Sequence, residues 1–259
     1  MNENNESNFE YKYGFAITTE MFLEDKDLMD TVSFECLIQQ NPIERLGILF
    51  NENEMNKYDE YEDKENFVRN IAAVDVAWGG GDYLSMPICS EYKNGDCPLI
   101  DVYVSQEAKE TTIPEVVNKI IEHHITHCHF EANNGGDMYA EKVQEELKNK
   151  GIKWCNVTWS KVPTTKSKLD RILASAGAIR GSERSDYRLM IKRRTAIKNH
   201  AMYNLFLDLL FKFNQSLKMQ GKQVDDVPDS LANLFQNVLG CKADGGVVHS
   251  HYSREELGI

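Results

Sequence analysis

IAAVDVAWGGGD, residues 71–82, sets the architecture of this chain. Residues 71–77 are small or β-branched and apolar except for Asp75, a composition that predicts a strand buried on both faces. A buried carboxylate without a partner costs on the order of several kcal/mol, so a hydrogen-bond donor or a metal ion must compensate Asp75. Glycines 79–81 then permit a tight turn or a close backbone approach, and Asp82 supplies a second carboxylate after that turn.

Size and composition predict a globular, intracellular protein. The 259 residues are 41% hydrophobic, which is enough for a substantial core. No apolar run approaches the ~20 residues that span a bilayer, and the first 20 residues lack the basic start and apolar centre of a signal peptide. The six cysteines form no C-x-x-C pair, which favours reduced thiols without a disulfide framework. We therefore expect no membrane partner.

Charge is distributed unevenly along the chain, whose net charge is −12. Residues 1–66 hold 17 acidic and 5 basic residues, which predicts an acidic N-terminal arm and linker. Residues 161–198 hold 11 basic and 3 acidic residues, so one local surface attracts anions that the whole molecule repels. We expect one α/β domain over residues 67–240 and a loose tail over residues 241–259.

Hydrophobic patterns after the first strand predict a mixed sheet of about five or more strands flanked by helices. The Asn94-Gly95 pair predicts a hairpin between strands 83–92 and 98–105, antiparallel to the first strand. Later strands follow helical crossovers and are expected to pair in parallel. The predicted strands 127–132, 152–159 and 187–191 alternate with predicted helices at 113–125, 133–151, 166–177, 200–215 and 229–240.

Two of these helices carry further expectations. In the helix before Gly151, Met138, Val143 and Leu147 have the spacing of an inward face, and the glycine is expected to end the helix. The helix at 200–215 is apolar nearly all round, which predicts that it is buried.

Three acids stand out by their positions in these elements. Asp75 lies within the first strand, Glu131 at the end of a predicted strand, and Asp229 in the first turn of the last helix. Each has a purely structural alternative, as a hydrogen-bond acceptor, a strand cap or a helix N-terminal residue. In an open sheet, however, adjacent strand ends and a helix laid over them converge on one crevice. Three carboxylates that share a crevice repel one another unless cations lie between them.

Carboxylate ligands without cysteine suit Mg²⁺ or Mn²⁺. Two such ions ~4 Å apart stabilise both the attacking and the leaving oxygen of a phosphodiester displacement, and one of them activates the attacking water. The acids therefore favour metal-dependent phosphodiester hydrolysis without a covalent nucleophile.

Four stretches occur in the order found in the nuclease domain of phage terminase large subunits: AAVDVAWGGGDY, FEANNGG, KSKLDRI and DDVPDSLA. The chain resembles that family over about residues 67–240. The resemblance implies a ribonuclease H-like fold and an endonuclease with two Mg²⁺ or Mn²⁺ ions that cuts concatemeric double-stranded DNA during genome packaging. It also implies which acids bind the metals: Asp75, Glu131 and Asp229 as the catalytic set, with Asp226 and Asp82 at auxiliary positions.

The same resemblance implies partners and a location. The partners are an ATPase domain, the small terminase subunit and the portal, and the location is the cytoplasm of a bacterial host cell. No G-x-x-x-x-G-K-[ST] phosphate loop occurs, so we expect the ATP-driven motor half to be missing. The chain is then an excised nuclease domain or a split gene product, and it does not translocate DNA by itself.

The run HHITHCHF, residues 123–130, raises a zinc hypothesis because it combines four histidines with Cys128. Strand alternation, however, puts His127, His129 and Glu131 on one face and Cys128 on the other. The alternation opposes a compact tetrahedral site and favours histidines that lie at the surface or support neighbouring groups.

The basic segment 161–198 is the natural place for a DNA backbone, and its alternative is a solvated face of long side chains. Because the predicted site requires DNA and the rest of the chain is acidic, we favour backbone contacts without base specificity. The candidate DNA-binding residues are Lys166, Lys168, Arg171, Arg184, Arg188, Lys192, Arg193 and Arg194.

Two other functions stay open at this point. An actin-like or sugar-kinase-type phosphotransferase also begins with an acidic strand, a glycine-rich turn and a hairpin. Its phosphate turn usually offers Ser or Thr, which AWGGGDY lacks. A nuclease-dead docking module of a packaging motor would bind its partners normally and hold no metal between the acids.

Overall fold

The computed structural model describes residues 18–19, 21, 48–77, 82–161, 167–214 and 225–239. The chain divides into two units, Met1–Ile48 and Leu49–Ile259, and the elements below belong to the second. Its strands are β1 (Asn56–Tyr58), β2 (Phe67–Val74), β3 (Leu84–Tyr92), β4 (Asp96–Ser105), β5 (Ile125–Glu131), β6 (Asn156–Ser160) and β7 (Arg188–Lys192). Its helices are α1 (Lys109–Glu122), α2 (Gly136–Asn149), α3 (Lys168–Ile179), α4 (Ala201–Phe211) and α5 (Asp226–Asn233), followed by a π-helical turn (Leu234–Val238).

The described strands form one seven-stranded sheet in the order β1-β7-β4-β3-β2-β5-β6. Strand β3 pairs antiparallel with β2 and β4, whereas the β2–β5, β5–β6, β4–β7 and β1–β7 pairs are parallel. The predicted mixed sheet, with its hairpin and its parallel strands, is confirmed. Because β3 alone runs in the opposite direction, the carboxyl ends of β2, β5, β6 and β7 lie along one edge of the sheet, called the carboxyl edge below.

Side-chain alternation along β2 explains its central place in the sheet. Ile71 and Ala73 pack into an apolar cluster with residues of α3, α4 and α5. Ala72 and Val74 pack into a second cluster, with residues of α1 and α2. Burial of both faces is typical of strands in parallel sheets covered by helices.

One expected inward residue of α2 lies outside the core. Met138 is 63% exposed, because it lies in the first turn of the helix and the neighbouring Tyr139 fills the inward position. Val143 and Leu147 are buried as predicted. Gly151 has the left-handed backbone that ends the helix, with φ +74°.

The helices differ from their predicted limits by a few residues, and three of the differences affect the packing. Helix α1 begins four residues earlier than the predicted start at 113 and ends before His123, so that Ile125 already belongs to β5. Helix α4 buries one face, but Leu205 is 38% exposed. The last helix changes to π geometry, in which the Leu239 N–H donates to the Leu234 carbonyl oxygen at 3.1 Å.

Part of the segment predicted to be an acidic arm contributes to the sheet. Residues 56–58 form β1 at its edge, and Phe50 and Tyr58 are buried. Because these few apolar residues lie among many acidic ones, the charge pattern gave no indication of a strand or of buried residues here. The limits of the arm and of the tail stay predictions, and the tail at 241–259 and glycines 79–81 lie outside the described residues. Within the described ranges, every helix is too short or too polar to cross a bilayer.

Asp101, a buried acid of β4 that the sequence did not single out, ties two helices to the sheet. Its Oδ2 accepts hydrogen bonds from Lys119 Nζ at 2.6 Å and from His123 Nε2 at 2.7 Å, both from α1 and its end. Its Oδ1 contacts His200 Nε2, at the start of α4, at 3.1 Å. Burial alone would raise the pKa of Asp101, but the hydrogen bonds from His123 and Lys119 hold it well below its usual range.

We predict that Asp101→Asn lowers the free energy of unfolding by about 2 kcal/mol, because it leaves Lys119 and the histidines without their counter-charge. The pKa of Asp101 is depressed, so its stabilisation is present above about pH 4 and is lost as pH falls through the folded-state pKa. Urea unfolding of the two proteins from pH 7 to pH 2 measures both effects. The control is Glu122→Gln, since Glu122 also contacts Lys119 but is exposed, and this control should stay close to wild type.

Candidate active site

The three acids that the sequence singled out meet at the carboxyl edge of the sheet. Asp75 directly follows β2, Glu131 is the last residue of the neighbouring parallel strand β5, and Asp229 lies in the first turn of α5. One carboxylate oxygen from each lies within 4.8 Å of the others, and all three side chains are buried. The acids therefore form one cluster, called the acidic cluster below.

Local structure fixes the backbone on either side of each acid. Asp75 and Ser85 exchange two backbone hydrogen bonds of 3.0 Å, which hold the end of β2 against β3. The Ser85 hydroxyl lies 2.8 Å from that of Ser230, next to Asp229, and so links α5 to the sheet. A Cβ at position 136 would lie 1.8 Å from the Glu131 carbonyl oxygen. Only glycine lets α2 begin so close to the end of β5.

Two cations from α3 occupy the acidic cluster. Lys168 Nζ lies 2.8 Å from Asp75 Oδ2 and 3.4 Å from Asp229 Oδ2. Arg171 donates from Nη2 to Asp229 Oδ2 at 2.6 Å and to Glu131 Oε2 at 2.9 Å. We predicted both side chains as DNA contacts, but here they form ion pairs with the acids. They lie on one face of α3 because residues i and i+3 of a helix are neighbours.

Burial and charge act in opposite directions on these groups. Burial raises the pKa of Asp75, and the Lys168 ammonium opposes this rise. The pKa of Asp229 is raised for the same reason, against the attraction of Lys168 and Arg171. Burial would lower the pKa of Lys168, but Asp75 and Asp229 raise it well above its usual value. The acids and cations of the cluster are therefore one coupled electrostatic unit.

The chemistry of the donor set fits a hard divalent cation. All three ligand groups are carboxylates, and their oxygens converge to a separation that one or two ions can bridge. Such ions would compete with Lys168, whose ammonium already lies among the same oxygens.

The two auxiliary acids lie in different surroundings. Asp226 is buried, accepts a hydrogen bond from the Tyr83 N–H at 2.8 Å, and lies 3.5 Å from Lys168 Nζ. Asp82 is exposed and contributes to a raised pKa of Asp226, whose main cause is burial. Asp225, at the start of α5, lies 4.0 Å from Lys168 Nζ and was not predicted. The sequence did not indicate that the Asn133 amide donates to Glu131 Oε1, at 3.0 Å.

The remaining candidate DNA-binding residues do not form one surface. Lys192 ends β7 and Arg193 directly follows it, on the carboxyl edge, whereas Arg188 begins that strand and Arg184 lies in the loop before it. Arg188 pairs with Asp96 at 2.8 Å. Further ion pairs join Arg193 to Asp59, and Arg194 to Glu52 and Asp208. Lys166 lies outside the described residues.

The histidines of β5 form hydrogen bonds to β6. His127 Nε2 and His129 Nδ1 both lie 2.8 Å from the Thr158 hydroxyl. Burial lowers the pKa of each imidazole to about 4, so both are neutral at pH 7. Cys128 packs on the opposite face, in the apolar cluster with α1 and α2. This arrangement agrees with the alternation argument against a joint Cys and His zinc site.

Comparison with known proteins supports the family resemblance that the four stretches indicated. The family model of the terminase RNase H-like domain matches residues 72–237. A search of curated protein sequences finds no match. The family match supports a nuclease rather than the phosphotransferase alternative.

Three solved structures illustrate the similarity. The nuclease domain of the large terminase subunit of bacterial virus Sf6 is 12% identical, with a TM-score of 0.43 over 64% of this chain and 86% of that one. The large terminase nuclease of thermophilic phage G20c with bound zinc is 14% identical, with a TM-score of 0.40 over 71% and 95%. The RuvC structure from Thermus thermophilus is 12% identical, with a TM-score of 0.33 over 63% and 88%.

We predict that Mn²⁺ raises the melting temperature, by roughly 5 °C at a hundred times the dissociation constant. Ligation requires ionised carboxylates, and burial raises the pKa of Asp75, so the rise should be larger at pH 8 than at pH 6. Differential scanning fluorimetry measures it. Asp75→Asn should abolish most of the rise, whereas Glu145→Gln, on an exposed position of α2, should retain it. An equal rise in both variants would place the ion elsewhere.

Proposed function

The chain belongs to the family of terminase RNase H-like domains, and on that premise we propose that it is a metal-dependent endonuclease. Its substrate is double-stranded DNA, and its activity is the cutting of concatemers during viral genome packaging. The observation that carries the proposal is the convergence of Asp75, Glu131 and Asp229 at the carboxyl edge. Few other roles require three buried carboxylates in mutual contact range, since burying like charges together is strongly unfavourable.

Asp75, Glu131 and Asp229 would hold two Mg²⁺ or Mn²⁺ ions, with Asp226 as an additional ligand. When bound, such ions activate water and neutralise charge on the leaving oxygen of a phosphodiester. The buried walls of the cluster lower the local dielectric constant and would so strengthen the attraction between such ions and a phosphate. Asp82 stands at the exposed rim, and its role as an auxiliary ligand is proposed from the family pattern alone.

DNA would approach across the carboxyl edge, where the acidic cluster lies. Lys192 and Arg193 are the candidate residues for phosphate contacts there. Arg193 is exposed and bonded to Asp59 at 3.2 Å, and an exposed pair of this kind is weak enough to be exchanged for a phosphate. Lys166 lies outside the described residues and stays a candidate only because it belongs to the basic segment 161–198. An ATPase domain, the small terminase subunit and the portal are the proposed partners, in the cytoplasm of a bacterial host.

We predict that Asp75→Asn and Asp229→Asn each reduce Mn²⁺-dependent cleavage of supercoiled plasmid by at least roughly a hundredfold, because each removes a metal ligand. Glu145→Gln is the matched control and should cleave at the wild-type rate. Gel electrophoresis of timed digests measures the rates. If both aspartate variants cut normally, the nuclease assignment to this cluster is wrong. A wild-type protein that neither binds Mn²⁺ nor cuts DNA would support the docking-module alternative.

We predict that Lys192→Gln and Arg193→Gln each lower the slope of log K for DNA binding against log salt concentration by about 1, the effect of losing one phosphate contact. Arg184→Gln, which removes an exposed charge in the loop before β7, should leave the slope unchanged. Fluorescence anisotropy with a duplex at several salt concentrations measures it. Equal slopes in all three variants would show that DNA does not follow the end of β7.

A further inference from the structure

We propose that Arg171 is a positioning residue that holds Asp229 and Glu131 in place for divalent metal ions, and that Gln236 fixes Arg171 in turn. The inference rests on the proposed function, because it assigns a role toward the same metal-dependent site. It replaces the sequence-based expectation that Arg171 contacts DNA.

The guanidinium of Arg171 binds two acids at once. Its Nε lies 3.1 Å from Asp229 Oδ1 and its Nη2 lies 2.6 Å from Asp229 Oδ2, so that one planar fork engages both oxygens of the carboxylate. The same Nη2 lies 2.9 Å from Glu131 Oε2. A bidentate pair fixes the rotation of a carboxylate as well as its distance. Arg171 therefore sets the orientation of Asp229 relative to Glu131.

Burial separates Arg171 from the surface that DNA would follow. Its side chain is 9% exposed and that of Asp229 is 1% exposed, whereas the Lys168 side chain is 33% exposed. Lys168 carries a single ammonium that contacts several acids, and such a point charge imposes little orientation. The two cations of α3 thus differ in kind, and only the arginine has the geometry of a fixed support.

Gln236 forms hydrogen bonds with the turn of α3 that carries Arg171. Its Nε2 donates to the Arg171 carbonyl oxygen at 3.0 Å and to the Ser175 hydroxyl at 2.8 Å. Gln236 lies in the π-helical turn that follows α5, the helix that bears Asp229. Helix α3 is therefore joined to α5 by the Arg171–Asp229 ion pair. It is also joined to the π-helical turn after α5 by the hydrogen bonds of Gln236.

These contacts are compatible with metal ligation by the same acids. Each carboxylate oxygen has two lone pairs, so an oxygen that accepts a hydrogen bond from Arg171 keeps one for a cation. Partners of this kind, bonded to a ligand rather than to the metal, typically change metal affinity 10–100-fold. If Arg171 supplied only positive charge, a lysine could replace it. Orienting the Asp229 carboxylate requires the planar guanidinium.

The test compares Mn²⁺ binding by Arg171→Lys, Gln236→Leu and the double variant, using calorimetry on the full chain. We expect Arg171→Lys to raise the Mn²⁺ dissociation constant about tenfold while the KM for DNA stays at the wild-type value. Gln236→Leu should raise the dissociation constant less, and the double variant should be no worse than Arg171→Lys, because Gln236 acts through Arg171. The matched control, Gln144→Leu on an exposed position of α2, should bind like wild type.

An unchanged Mn²⁺ dissociation constant in Arg171→Lys overturns the proposal, and so does an additive effect in the double variant. If Arg171→Lys fails to fold, Gln236→Leu decides, since an affinity equal to that of Gln144→Leu overturns it. A wild-type protein that binds Mn²⁺ but does not cut DNA contradicts the proposed function, while the dissociation constants still decide the role of Arg171. A wild-type protein that binds no Mn²⁺ overturns both.

Discussion

Mutual repulsion among Asp75, Glu131 and Asp229 is the constraint that the rest of this structure accommodates. Three carboxylates whose oxygens lie within 4.8 Å of one another, all in buried positions, cannot all stay ionised without positive charge nearby. Lys168 and Arg171 supply that charge from α3. The chain itself thus supplies charge that compensates the acids, and the all-carboxylate donor set suits a divalent cation. Of these two cationic side chains, Lys168 is the more exposed.

The sheet explains why acids so distant in sequence meet. Strands β2 and β5 are parallel neighbours in the sheet, so residues that follow their last apolar positions emerge side by side. Gly136 lets α2 turn away directly behind Glu131, and the serine pair between β3 and α5 fixes the helix that brings Asp229. Each of these is an ordinary packing or backbone feature. Together they determine the geometry of the site.

Other buried charged groups of the domain are also paired with side chains from the chain itself. Asp101 is surrounded by Lys119, His123 and His200, and Arg69 pairs with Glu91 at 2.6 Å. Asp101, Glu122 and His123 also have metal-ligand spacing, but the Lys119 ammonium lies within hydrogen-bonding distance of both carboxylates. Lys119, His123 and His200 contact Asp101 from the two helices and their ends, so these contacts mark where α1 and α4 attach to the sheet.

The sequence by itself determined the fold class, the hairpin at Asn94-Gly95, the parallel strands after it and the identity of the three clustered acids. Those features follow from local patterns: apolar alternation, turn residues, and a carboxylate placed where an apolar strand should continue. Only the tertiary structure decided the partners of the charges. The KSKLDRI segment has the composition of a DNA-binding helix, yet Lys168 and Arg171 face the acids. A sequence lists which charges a segment carries, but their partners depend on how distant elements pack, because Coulomb attraction acts between neighbours in space.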